Sequence, residues 1–280
     1  MFRTRYVITL VVLVFSLFLA LPNAGSTKNA KDDVRERSKI KKEWLKNAKD
    51  IVQKINDKEA TEEFQFLDKN LILAAPNEKG MQFLEGAKSR TWLAIVPLLE
   101  KDKKVGGRWQ GIVSASTAAH FLSGSRAIVV KEYISYSSAG KAIIFLHEGF
   151  HSYDFIKNPY EQQNDKEFCY EEVKAHIFQN KVMSLLGGGK YREVLEKEVR
   201  RISAKAKISG NNFSVPGRAE YDENLAAALG KPASRLERDF IQTSVWIHAV
   251  FVFLDNNFGK DAEDRKALFL RTIYKNKDLL

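Results

Sequence analysis

Two histidines and a glutamate carry the most specific chemistry in the chain. His147, Glu148 and His151 stand in His147-Glu148-Gly149-Phe150-His151, a match to H-E-x-x-H. On an α-helix, positions four apart lie about 40° apart around the axis and one turn along it, so both imidazoles can point at one atom. Two neutral imidazoles at this spacing suit a zinc ion. Glu148 falls on a different radial line, where it can hold a water beside the metal rather than bind the metal itself. The chain has only five histidines. With so few, the match favours a metal site over a pair of hydrogen-bonded core imidazoles.

A zinc site that activates water needs three protein donors and one open position. The three-histidine extension H-E-x-x-H-x-x-G-x-x-H is excluded, because Asp154 replaces the Gly and Lys157 replaces the last His. The remaining option is a glutamate from a second helix. Glu172 opens the run Glu172-Val173-Lys174-Ala175-His176, with the polar loop Asn158–Lys166 before it to reverse the chain. Glu171 competes with it. Adjacent helical residues diverge by about 100°, so only one of the two can face the metal. Lys174 shares the face of Glu171, and a lysine beside zinc is unfavourable. Glu172 is preferred, with Glu171 as the alternative.

Over about residues 126–180 the chain resembles the gluzincin metallopeptidases, in which H-E-x-x-H is followed by a helix carrying a glutamate ligand. In several of these families that helix reads E-x-x-A, matched here by Glu172 and Ala175. The resemblance implies His147, His151 and Glu172 as ligands of one Zn²⁺ and Glu148 as general base. It also implies a zincin-like core. No specific family within the group is matched. In thermolysin-like members the position of His176 holds an Asp that accepts a hydrogen bond from a ligand imidazole. His176 departs from that pattern and is read either as a group behind a ligand or as an ordinary helix histidine. Asp154, one turn after His151, is a candidate to orient that imidazole. Tyr153, Tyr221 and His248 are candidate donors to a tetrahedral intermediate. Cys169 has no spacing partner and is read as a buried thiol.

Several elements must position these residues. Ser137 or Ser138 caps a helix over about residues 139–155, and the unbroken apolar run Ala142–Leu146 predicts burial on most sides. Strands are expected at Trp109–Ala115 and Arg126–Ile134, because both are short and rich in β-branched residues. The second is the expected sheet edge for an extended peptide. Helices are expected at about 34–55, 61–74, 168–186, 191–207, 220–229, 234–256 and 262–274. Gly187-Gly188-Gly189 stops the third of these, and 209–217 is a loop. The expected class is α+β and mostly helical, with a small sheet before the H-E-x-x-H helix and a helical C-terminal part.

The chain has 280 residues, 44% hydrophobic and 29% charged, enough for one sizeable core. A net charge of +10 is dispersed among acidic residues, without the aromatic-and-basic pattern of a nucleic-acid module. One cysteine rules out an intrachain disulfide. Arg3 and Arg5 precede the apolar run Val7–Leu21, which has the form of an export signal and is short for a membrane span. The expected organisation is a signal peptide or anchor at 1–24, a charged tether and helix at 25–60, and a metallopeptidase domain at 61–280. The expectation is an exported zinc metallopeptidase, periplasmic or secreted, acting on peptides or proteins. An uncleaved N-terminal segment would associate it with a membrane. Its rivals are a zinc-binding envelope protein without proteolysis and a membrane-surface module using the basic residues 28–49.

Overall fold

The helix that carries His147 and His151 starts where the sequence places a serine cap. In the computed structural model it is α3, Ser138–Lys157, and the Ser137 side chain accepts a hydrogen bond from Gly140 N. The structure describes residues 30–73, 91–96, 119–122, 127–131, 134–158, 165–209, 212–217 and 223–259. Ala142 to Gly149 are all buried. Helices α1 (Ala30–Ile55) and α2 (Lys58–Asn70), the sheet and helix α4 (Asp165–Lys205) all pack against α3. That surround explains the run of apolar residues without a polar break.

The stripe Trp44, Ala48 and Ile51 on α1 is buried, and the Trp44 ring meets Phe145 edge-on at 5.6 Å. Such a pair contributes about 1 kcal/mol beyond its area. Asn56, with φ 49°, turns the chain from α1 into α2. Asparagine tolerates that left-handed conformation better than most residues. The Asp57 side chain then caps α2 by accepting from Ala60 N.

The expected helix over 61–74 ends early. Leu71 takes an extended conformation and begins strand β1, Leu71–Leu73. Pairing with a neighbouring strand, rather than Pro76, ends the helix. Strands β2 (Thr91–Val96), β3 (Ala119–Leu122) and β4 (Ala127–Lys131) complete a sheet of order β1-β2-β4-β3. β1, β2 and β4 are parallel, with Leu71 opposite Thr91 and Trp92 opposite Ala127. β3 is antiparallel to β4, with His120 opposite Val129. The expected strand at Arg126–Ile134 is therefore β4, but it lies inside the sheet. Antiparallel β3, also packed on α3, holds one edge, and β1 holds the other.

α4 covers the two helices expected at 168–186 and 191–207. Its axis breaks at Gly188, where φ 57° and ψ −137° leave the helical region. Only glycine takes that conformation without strain. The glycine run therefore interrupts the helix, which resumes at once. β5 (Lys207–Ser209) and β6 (Asn212–Ser214) form a hairpin where a loop was expected. Helix α5 spans Glu223–Leu229, and α6, Arg235–Phe258, is capped by Ser234. α6 packs on α4 and buries Val245, Trp246, Ala249 and Val250.

The described part is mostly helical. None of its helices is long and apolar enough to cross a membrane. Residues 1–24, the strand expected at Trp109 and the helix expected at 262–274 lie outside the described residues.

Candidate metal centre

α3 and α4 lie against each other, and their seam gathers the polar groups singled out above. His147 and His151 occupy successive turns of α3, with ring centroids 5.0 Å apart. Glu172 faces them from α4. Its Oε2 lies 3.8 Å from His147 Nε2, and its Oε1 lies 3.4 Å from His151 Nε2. Donors bound to a tetrahedral zinc at 2.0–2.2 Å lie about 3.3–3.6 Å from one another. The donor types suit that ion, and the 3.4 Å approach lies in this range while the 3.8 Å approach lies just beyond it. Among the described residues the three-donor group within 4.8 Å is His147, Glu172 and His176, without His151.

The electrostatics are those of a closely coupled cluster. Burial alone would raise the Glu172 carboxyl, but the imidazoles of His151 and His147 hold it well below the usual range. Burial would lower His151, but the carboxylates of Glu172, Glu148 and Glu171 together raise it. Glu148 is itself buried, one residue from His147. His147 Nδ1 is also buried and has no hydrogen-bond partner.

Glu171 turns away from the cluster. Lys174 Nζ donates to Glu171 Oε1 at 2.6 Å and to Asp154 Oδ2 at 2.8 Å. Burial, together with Asp154, pushes the Glu171 carboxyl up to about 7. Asp154 also accepts from Asn158 Nδ2 at 3.0 Å. Burial would raise Asp154, but its bonds with Glu171, Lys174 and Asn158 bring it below its ordinary value. The carboxylate considered as an orienting group for His151 instead clamps α3 to α4 through Lys174.

His176 lies one turn beyond Glu172, and its ring stands 4.7 Å from that of His147, tilted by 58°. One of its nitrogens is within 4.8 Å of the donor atoms of both His147 and Glu172. Burial first, and His147 second, push this imidazole down to about 3, so it is neutral at neutral pH. The sequence signal for its place is the four-residue spacing from Glu172.

No protein-family model, curated protein or solved structure matches the chain. The local geometry therefore carries the functional reading.

The other candidates are placed as follows. The Tyr153 hydroxyl accepts from Lys157 Nζ, and its ring meets Phe66 at 5.5 Å. His248 Nδ1 lies 3.0 Å from the Tyr191 hydroxyl in the packing of α4 on α6. Burial pushes His248 down to about 4. Tyr221 and the side chain of Cys169 lie outside the described residues.

Two carboxyl groups that the sequence reading did not single out support α3. Glu237 is fully buried at the helix start. Its Oε2 accepts from Ser137 N at 2.8 Å and from Ala233 N at 2.6 Å, and its Oε1 accepts from Ser137 Oγ. On the far side of α3 from the histidines, Glu63 of α2 is also fully buried, with no hydrogen-bond partner for either oxygen. A Cβ on Gly149 would collide with the Glu63 carboxyl and with Leu67. Glycine within the H-E-x-x-H run thus lets α2 lie close behind the histidines.

Proposed function

We propose that this chain is an exported zinc-dependent metallopeptidase of zincin type, with His147, His151 and Glu172 holding the metal and Glu148 as general base. The observation that carries this reading is the approach of both Glu172 carboxylate oxygens to the two Nε2 atoms, 3.8 and 3.4 Å away. A zinc ion held by these residues would supply Lewis acidity toward a substrate carbonyl and a water. The Glu148 carboxylate takes a proton from that water and delivers it to the leaving amine nitrogen. Glu172 and the two imidazoles fix the donor positions, held by the packing of α3 on α4. Burial of Glu148 keeps competing solvent from its carboxylate.

The sheet supports a peptide substrate. β3 pairs with β4 alone among the described strands, and it packs on α3. An extended peptide can add to such an edge through main-chain hydrogen bonds. The test is cleavage of an unfolded protein substrate by the purified chain, measured with zinc and with a chelator. Zinc-dependent cleavage supports the reading. Cleavage that the chelator leaves unchanged rejects it.

One observation favours a second reading, a zinc-binding protein of the cell envelope without proteolysis. A His176 nitrogen lies within 4.8 Å of donor atoms of His147 and Glu172. Four protein donors on one zinc leave no position for water.

A further inference from the structure

We propose that His176 is a fourth protein donor that closes the metal centre in the resting protein and must withdraw before substrate is processed. The inference rests on the zinc-peptidase reading and adds a regulation of that same site.

Its basis is the crowding of donors in the α3–α4 seam. The carboxylate oxygens of Glu172 lie 3.8 and 3.4 Å from His147 and His151. A nitrogen of His176 lies within 4.8 Å of donor atoms of His147 and Glu172, and its ring stands 4.7 Å from that of His147. Three imidazoles therefore stand around the Glu172 carboxylate, with the donor atoms of His147, Glu172 and His176 all within 4.8 Å of one another and His151 3.4 Å from Glu172. That set is what a closed, four-coordinate zinc site takes, whereas a site that activates water keeps one position open. One of the four must leave.

The surroundings single out His176 as the group that leaves. His147 and His151 are buried on α3, which α1, α2, β3 and α4 enclose. Glu172 meets both of those imidazoles. Glu172 and His176 are both half-buried, and Glu172 is the one set against both imidazoles of α3. It follows Glu172 by one helical turn and can swing without disturbing the backbone that holds Glu172. Occupation by His176 would protect the metal from loss and withhold activity until a peptide backbone displaces the imidazole.

X-ray absorption at the zinc edge of the zinc-loaded full chain counts the imidazoles at the metal. Three in the native protein and two in His176→Ala, with zinc retained, are expected. Two in the native protein would overturn the proposal and leave the zinc reading standing. A native protein that binds no zinc would overturn both. Hydrolysis of an unfolded protein substrate gives a second readout. His176→Ala is expected to raise kcat/KM, and a fall in kcat/KM with zinc still bound would contradict the closing role. His176→Gln, which keeps a polar side chain at that position, is read alongside in case the alanine variant folds poorly.

Discussion

Glu172 Oε1 lies 3.4 Å from His151 Nε2, across the seam between α3 and α4. The carboxylate and the imidazole belong to different helices, so their approach reports tertiary packing rather than local sequence. If both bind one zinc, Glu172→Ala should weaken zinc binding by more than the ~10–100-fold that loss of a supporting group costs. Calorimetric titration of the metal-free protein measures it. An unchanged affinity would remove Glu172 from the ligand set.

The start of α3 depends on Glu237. Its carboxylate takes two backbone N–H groups and the Ser137 hydroxyl in a buried pocket. Glu237→Ala leaves those donors without their acceptor and should cost about 3 kcal/mol. Ser137→Ala removes only the cap and should cost about 1 kcal/mol. Chemical denaturation of both variants checks the ranking. Equal losses would contradict it.

Gly149 has room for no side chain. Gly149→Ala improves helix propensity by about 1 kcal/mol, yet its methyl would strike Glu63 and Leu67. Overpacking of this kind costs about 1–3 kcal/mol. The variant should therefore melt at or below the native temperature. A clear rise in melting temperature would show that the α2–α3 contact is looser than described.

Glu63 should make stability depend on pH. Burial, with Glu59 nearby, raises its carboxyl well above the ordinary value. The folded protein therefore keeps the proton where the unfolded chain has lost it. The stabilisation is fully present below the unfolded pKa of about 4.5 and is lost as pH rises towards the folded value. Glu63→Gln cannot ionise and should flatten this fall. Its gain over the native protein should be larger at pH 7 than at pH 5 by denaturant melts. A gain independent of pH would contradict a buried, protonated Glu63.

Lys174 joins Asp154 of α3 to Glu171 of α4. Lys174→Met breaks that bridge and leaves two acids side by side. Zinc affinity should fall about tenfold through the altered spacing of the helices, within the range seen for supporting groups. Competition with a chromophoric chelator measures it. A loss as large as that of Glu172→Ala would mean that Lys174 does more than hold the helices together.

Much of the site follows from short-range rules. The four-residue spacing of His147 and His151, the Ser137 cap and the pairing of Lys174 with Glu171 rather than Glu172 all follow from helix periodicity. The supports do not. Glu237 lies 100 residues from Ser137, and no local pattern links them. Glu63 sits behind Gly149 only because α2 packs there. β2 reads as a continuous apolar run, which fits a strand with parallel neighbours on both sides as well as a buried helix turn. The edge position of β3 is a property of the whole sheet.

The central claim is that Glu148 moves a proton while His147 holds the metal. It is tested most directly by measuring zinc content and peptide hydrolysis together in Glu148→Gln and His147→Ala. Glu148→Gln should keep stoichiometric zinc and lose hydrolysis by about 10²–10⁴-fold, and His147→Ala should lose both. Full hydrolysis by Glu148→Gln would contradict the mechanism.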